Sequence, residues 1–567
     1  MTYDADVIII GAGGGGPVVA KELGEIGVKV LVLEAGPWYG NKKWPNPNRE
    51  SGAASSSSVE DLDLGLLTNQ FTDYEADMND WITGKFRWGP ADRNRDPWFR
   101  NLFQAGFPWQ CSGVGGTTLH YWGNSPRAYS LAVDNVWPIP YRELIPYYQK
   151  VEATLPVHPA PMTTKEELFF YGARKAGYPL LSTLNVTSPG YRPQPNAILP
   201  PDPRINDPDF PFGEKPAGCT LRGHCVNGCH IGPSVEKVAK RSTLCSYVPL
   251  ALKTGMVKIR PNTFATRIIT ENHPQEGLRA IGVQFRDTWS GEFGDFKAKV
   301  VVMAAGAIET PRLWLNSALP LNPWVGKGLT NHFFGCVAGI FDENVLMNIL
   351  GTPEANPFVG QNSAARLDYP GLGFLGNFGL SPGLFATLLY TLREGSYNFL
   401  HKSDPKEPWD IYGKAVGEKL KYLMSQYRRT LSTLLFVDDE VNPQNMITLD
   451  PVFKDEHGPV PLIHYSPSQK DKEKQDQLAR IAADVFRKAG AKEIIRADWP
   501  PGVYIHSQNT MRMGYVTDTN CEAYQVKRLF IADNSVLFNG LGGPNPTLTT
   551  QALATRTAEK LVNRYFS

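Results

Sequence analysis

Apolar residues enter this chain in short unbroken runs near its start, in alternation through its middle and in aromatic clusters beyond residue 333. Val7 to Ile10 and Val28 to Leu33 are runs of the kind a strand buried on both faces requires, and Pro17 to Ile26 between them is helix-like. Tyr141 to Leu155, Thr163 to Ala176 and Arg241 to Thr254 carry helical amphipathicity. Val257 to Ile269 and Ala280 to Asp287 alternate apolar and polar side chains, predicting half-buried antiparallel strands, and Phe296 to Met303 predicts a third strand that runs into a helix. After Phe333 the aromatic, Gly and Pro residues of Phe341 to Phe385 precede helix-like stretches around Leu388 and Lys419. Strands are expected at Leu434 to Asp438 and Asn445 to Leu449, and Lys470 to Gly490 reads as a charged amphipathic helix with a solvated face. Leu529 to Asp533 is a last strand, and Pro546 is placed to start a closing helix. Gly40 to Arg100 and the proline-rich Leu184 to Phe212 predict excursions over the surface.

This order predicts an α/β fold with a Rossmann-like nucleotide domain interrupted by insertions, made of residues 1–160, 215–332 and 497–567. Residues 161–214 and 333–496 are expected to form a discontinuous substrate-binding domain on an antiparallel sheet. A length of 567 residues is ample for two such cores. The formal charge of +1 gives no reason to expect nucleic acid or anionic membrane as the main partner. Aromatics at 11%, with 13 Trp, suit either a deep aromatic pocket or simply a large core. No apolar stretch is long enough to cross a bilayer, and the first strand leaves no room for a leader, so a cytoplasmic location is expected, export with a leader-bearing partner being the alternative.

The chemistry gathers in three stretches. Gly11, Gly13 and Gly16 have G-x-G-x-x-G spacing between strand and helix, and Gly14 stands in the same turn. Such glycines make the tight turn, admit backbone N–H groups to a pyrophosphate and let helix pack on strand, while the helix N-terminus favours the anion. Glu34, ending the second run, is at the right remove to accept from a ribose hydroxyl. In the second stretch Gly115, Gly116, Thr117 and Thr118 allow amides and hydroxyls close to phosphate or a planar ring. The third combines Ala305 and Gly306 after a strand, Asp533 at another strand's carboxyl end, and Asn545, Pro546 and Thr547 at the start of the last helix.

The ordered segments GAGGGG with EAGP, VGGTTLHYWGN, VVMAAGAIETPRL, GKGLTNH, HSQNTMRMG and NPTLTTQALA resemble those of the glucose-methanol-choline (GMC) oxidoreductases, across most of the chain. The resemblance implies FAD, a two-domain fold and oxidation of an alcohol carbon, with His506 as the histidine beside the flavin and Asn545 as its partner. Alcohol oxidation asks for such a pair in its own right, because the hydroxyl proton must leave as the hydride does, and an imidazole with a pKa of about 6.5 accepts protons at neutral pH. His120 stands where relatives carry a covalent flavin link, and a packed turn histidine is the other reading. Asn509 replaces the family's usual glycine, and Asn331 its usual aspartate. A sugar or polyol is the first substrate expectation; a long-chain, aromatic or sterol alcohol is the second. A non-redox lyase or photodecarboxylase activity, or service as the electron-handling subunit of a complex, are further readings. Oxygen, a quinone or a cytochrome would take the electrons, and a small partner subunit is an open alternative.

Cys219, Cys225 and Cys229 resemble the cysteine loop of the bacterial glucose and gluconate dehydrogenase branch, some members of which hold an iron-sulfur cluster. Here His230 replaces the proline expected after the last cysteine. A structural loop of reduced or disulfide-linked cysteines is the plainer expectation, and zinc on the three cysteines with His224 or His230 is another.

Overall fold

The computed structural model describes residues 2–36, 38, 106–108, 110, 112–204, 218–223, 225, 239–288, 290–379, 382, 385–386, 401–402, 405–413, 415–498 and 502–567. The stretch from Gly40 to Arg100 and the one around Leu388 lie outside them.

The chain is α/β and is organised on two large sheets. In the first, the strands Val257–Arg260, Val30–Leu33, Ala5–Ile10, Phe293–Met303 and Leu529–Ile531 lie side by side in parallel. Their registers align Leu33 and Met303 with Ile10, and Ile531 with Met303, so these four strands end on one line. The loops that leave that line are Gly11 onward, Ala304 to Gly306, and Ala532 to Asp533. Ligands of parallel sheets bind at such carboxyl ends. The first half of Phe293–Met303 pairs antiparallel with Gly277–Asp287, which pairs with Thr263–His273. The helices Gly16–Glu25 and Thr547–Tyr565 pack together beside the sheet, and the run Val7 to Ile9 is wholly buried, as strands covered on both faces must be.

The second sheet has eight strands, with Phe334–Ile340, Thr430–Val437, Gly373–Phe378 and Ala365–Tyr369 at its centre, all antiparallel. Its side chains sort by parity. Val337, Leu367, Leu375, Leu431 and Leu435 face the helices Gln469–Lys488 and Thr164–Lys175, contributing to a core with Leu168, Phe169, Leu478 and Phe486. The even-numbered side chains, among them Arg366, Phe374 and Phe436, occupy the opposite face. Phe436 there stacks on His506, which lies ahead of the first sheet's last strand, Leu529–Ile531, in the chain.

Several expectations are corrected by this architecture. Val257 to Ile269 is not one strand. Pro261 has no N–H to give and Asn262 takes φ +49°, so Val257–Arg260 joins the parallel sheet while Thr263–His273 turns away into the antiparallel one. Arg241 to Thr254 is a 3-10 turn, Thr243–Cys245, followed by the helix Tyr247–Lys253. Leu184 to Phe212 does not simply wrap the surface: Gly190–Pro193 is an edge strand of the second sheet, and Gln194, Asn196 and Ile198 are fully buried. Residues 205–212 of that stretch are outside the described ones. A helix, Glu343–Leu350, occupies part of the aromatic region. The expected strand at Asn445 to Leu449 opens a separate hairpin, Met446–Asp455 with Gly458–His464. Arg312 on the helix Gly306–Asn316 holds that hairpin through Asp455 at 2.6 Å and the Pro459 carbonyl at 3.0 Å.

Candidate active site

A cleft with about 1490 Å³ of empty space, its open mouth included, lies over the carboxyl ends of the parallel strands. Gly11, Gly13, Gly14, Glu34, Gly116, Thr117, Thr118, Ala305, Gly306, Asp533 and Thr547 all line it. Gly11 turns the chain at φ +103°, and a Cβ there would sit 2.3 Å from the Ala304 carbonyl oxygen. Gly16 has the packing task, since a Cβ would lie 1.9 Å from Gly11 O. Gly15, which the motif spacing passes over, is equally constrained, with Ala532 O 1.8 Å from its would-be Cβ. The run of four glycines was the available signal for it. Gly13 and Gly14 have only ordinary contacts and leave the cleft floor open.

Glu34 is buried, and its carboxylate accepts N–H bonds from Ala12 and Gly36 at 2.8 Å and from Gly113 at 2.9 Å. It thus ties the first glycine loop to the second. Burial raises its pKa, and these N–H donors oppose that rise. Gly115, at φ +106°, gives its N–H to Ala12 O at 2.8 Å. The Thr118 hydroxyl donates to Gly115 O at 2.5 Å and accepts the Thr243 N–H at 3.1 Å, while the Thr243 hydroxyl reaches Gly13 O at 3.0 Å. Thr118 is therefore a joint of the loop, and Thr117 is the exposed hydroxyl residue at the cleft. His120 caps the 3-10 turn through its N–H to Thr117 O and is not among the residues lining the cleft.

Asp533 likewise binds protein. Its carboxylate accepts from Gly306 N–H at 2.9 Å, the Thr310 hydroxyl at 2.6 Å, Ser535 N–H at 2.8 Å and the Ser535 hydroxyl at 2.5 Å. These bonds clamp the exit of the strand Leu529–Ile531 to the helix Gly306–Asn316. Gly306 holds φ +88°, and a Cβ built on it would meet nothing within 4 Å. The closing helix begins at Thr547 with Pro546 at its N-cap, and neither it nor the helix at Gly16 has a capping side chain or an acidic residue in its first turn. Glycine floors, bare helix starts and a buried acid at the second strand's end fit the pyrophosphate and ribose of FAD.

The two residues expected to carry chemistry, His506 and Asn545, are not in the lining themselves but flank residues that are, Ile505 and Ser507 on one side and, two residues on from Asn545, Thr547. His506 Nε2 is 3.3 Å from Asn545 Nδ2, and His506 Nδ1 is 3.0 Å from Nδ1 of His332. His332 is fully buried, with Nε2 2.7 Å from Gly540 O and 3.1 Å from the Gln508 amide. Desolvation pulls His332 down to about 4, and desolvation together with His332 holds His506 well below its usual 6.5, so both rings are neutral. Asp439 accepts main-chain N–H bonds from Asn331 and His332 at 2.8 and 2.9 Å, which secures His332 at φ +53°. Asn331 Oδ1 accepts from the main-chain N–H groups of Ile505 and His506 at 2.9 and 3.1 Å, an acceptor role that the aspartate usual in the family would also fill. Asn509 takes φ +73°, which asparagine tolerates better than most residues. Its amide, correctly turned, accepts from Thr330 at 2.6 Å and donates to Asn539 O at 3.1 Å.

His332 was legible only as the last letter of GKGLTNH, and nothing local marks it as a neighbour of His506. Of the cysteines, Cys219 and Cys225 are buried free thiols, and burial pushes Cys219 up to about 12. Cys229, His224 and His230 lie outside the described residues, and among the described residues no three metal-ligating groups cluster.

A glycine-floored cleft over a parallel sheet, with a neutral histidine and an amide next to its lining, fits the class of dinucleotide-dependent oxidoreductases. Comparison with known proteins agrees. Two family models, both described as GMC oxidoreductase, match residues 213–334 and 442–554. The chain is 26% identical to a 2-methyl-1,2-propanediol dehydrogenase of Mycolicibacterium austroafricanum, covering 100% of this chain and 97% of that protein. It is 25% identical to the fructose dehydrogenase large subunit of Gluconobacter japonicus, over 99% and 98% of the two chains. A crystal structure of formate oxidase shares the fold, with a TM-score of 0.61 at 13% identity over 100% of this chain and 99% of that one. The chain belongs to the GMC oxidoreductase family, whose members bind FAD. Among the described residues no helix is long and apolar enough to cross a membrane.

Proposed function

We propose that the protein oxidises a CH–OH group of a sugar or small polyol to a carbonyl, with His506 as the base. The supporting observation is the pair itself: a neutral imidazole whose Nε2 meets the Asn545 amide at 3.3 Å beside the nucleotide cleft. FAD, when bound, supplies the hydride acceptor. The glycine loops and Glu34 would hold its pyrophosphate and ribose. His506 Nε2 takes the hydroxyl proton, the O–H bond breaking as an N–H bond forms, and Asn545 donates to the same oxygen to keep it in line. Similarity to named polyol and sugar dehydrogenases supports the substrate class.

An alcohol with an apolar body is the second reading, and one feature favours it. His506 stacks on Phe436 with ring centres 5.5 Å apart, and Phe436 on Phe374 at 4.5 Å, so one wall beside the base is aromatic. An anaerobic panel of sugars, polyols, long-chain and aromatic alcohols, read by flavin bleaching with oxygen uptake followed in parallel, separates the two. Bleaching by none of them would sink the oxidoreductase reading of the site and favour a non-redox activity. His506→Ala is expected to keep the bound-flavin spectrum and slow reduction by about 10²- to 10⁴-fold; reduction at the wild-type rate would remove His506 from the base role.

A further inference from the structure

We propose that His332 is the positioning residue that fixes the tautomer of His506, placing the proton on Nδ1 and leaving the Nε2 lone pair for the alcohol. The proposal deepens the reading of His506 as base and rests on it for its catalytic meaning.

The argument is a proton count along one chain of hydrogen bonds. His332 is fully buried, and desolvation together with His332 lowers the pKa of the half-buried His506, so both rings are neutral and each carries one N–H. His332 Nε2 is 2.7 Å from the Gly540 carbonyl oxygen, an acceptor only, so the proton of His332 must be on Nε2; a lone pair there would face a lone pair. The Gln508 amide lies 3.1 Å from the same nitrogen, and with the amide turned its Oε1 accepts from Nε2–H as a second acceptor beside Gly540 O. His332 Nδ1 is then an acceptor. Across 3.0 Å it meets His506 Nδ1, which must donate. His506 therefore has its lone pair on Nε2, where the Asn545 amide nitrogen donates at 3.3 Å. The opposite arrangement, with His506 Nε2–H donating to a turned Asn545 oxygen, forces a lone pair of His332 against Gly540 O. One main-chain carbonyl thus sets the state of a ring two links away.

His332 serves as a support and not as a proton exit. Its Nε2–H already ends on Gly540 O, so a proton taken by His506 has no onward route through it. What it offers the imidazolium formed on proton uptake is an acceptor for Nδ1–H. The groups that face it are His506, Gln508, Gly540 O and Asp439 through the main chain, with the buried Arg366 cation at longer range opposing its protonation.

The test reads the tautomer directly in the holoenzyme. With histidine selectively labelled with ¹⁵N, and the His506 signals identified by their loss in His506→Gln, the wild type is expected to show Nδ1 protonated and Nε2 bare from about pH 6 to 8. His332→Leu is expected to give a mixture of the two tautomers and about tenfold or slower flavin reduction with flavin still bound. His332→Gln, whose amide oxygen can accept from Nδ1–H, is expected to recover most of both. A wild-type His506 protonated on Nε2, or an unchanged tautomer in His332→Leu, would overturn the proposal, and the first measurement does not depend on any His332 variant folding. If the tautomer is as expected but His506→Ala reduces flavin normally, the base reading fails while the positioning by His332 stands.

Discussion

Glu34 was expected to hold a ribose, yet three of the roughly four acceptor positions of its carboxylate go to main-chain N–H groups. The residue shapes the site before it touches any ligand. Glu34→Gln would turn an NH2 toward those N–H groups, at a cost of about 1–3 kcal/mol. A lower melting temperature and flavin lost on dialysis are expected; an unaltered holoprotein would refute this account. The histidine pair makes a pH prediction at the same scale. His332 falls from about 6.5 in the unfolded chain to about 4 in the folded one, a difference worth about 3 kcal/mol. A group depressed on folding contributes stability above its unfolded pKa and loses it as pH falls, here between about 6.5 and 4. Asp439, pushed up to about 7, works the other way, its contribution fading as pH rises from about 4 to 7. Comparing wild type with His332→Gln isolates the histidine: urea melts from pH 7 to 4 should show the wild type losing more stability on acidification, and parallel curves would refute the assignment.

Among elements, the turn from the first strand into the first helix shows how steric limits and ligand space are divided among adjacent glycines. A Cβ on Gly15 would collide with Ala532 O at 1.8 Å, whereas one on Gly13 would have Gly116 Cα at 3.9 Å, an ordinary contact. Gly15→Ala is accordingly expected to destabilise even the flavin-free protein by about 1–3 kcal/mol, and Gly13→Ala to leave the apoprotein's melting temperature nearly unchanged while weakening flavin retention. Equal melting temperatures for the two apoproteins would contradict this division. The strand, turn and helix were readable from glycine spacing and apolar runs because those signals are local. The break at Pro261 and Asn262 was readable in principle, since proline interrupts a ladder. The burial of Gly190 to Ile198 was not, because it follows from pairing with Ala365–Tyr369, far along the chain.

Across the whole molecule, a buried charge cluster on the second sheet is tied through Tyr129 to the chain that leads into the closing helix. Asp368 on the second sheet accepts from Arg192 at 2.7 Å, Arg366 at 2.7 Å and the Tyr129 hydroxyl at 2.6 Å, and Tyr129 itself bonds through its main-chain N–H to Leu541 O beside the closing helix. Arg366 lies 4.0 Å over the Phe374 ring, at the end of the stack that reaches His506 through Phe436. Removing the one carboxylate leaves two buried guanidinium groups without their counter-ion, so Asp368→Asn is expected to cost about 3–5 kcal/mol and to release flavin at a lower temperature than wild type. Thermal melts followed by flavin fluorescence and circular dichroism check this, and a shift within error would show that the cluster does not stabilise the fold.

By itself the sequence determined the α/β class, the glycine cradle, the first two parallel strands and the family, because each is written in residues adjacent or regularly spaced along the chain. It also named His506 and Asn545 by their motifs. Only the tertiary structure decided that Glu34 and Asp533 bind main-chain groups, that Gly15 is as constrained as Gly11, and that His332 stands behind His506. Those facts depend on which distant segments meet, and a hydrogen-bond partner 174 residues away leaves no mark in local sequence. The direction in which His506 offers its lone pair is set by a carbonyl at Gly540, a group every residue has, so no choice of side chain announces it.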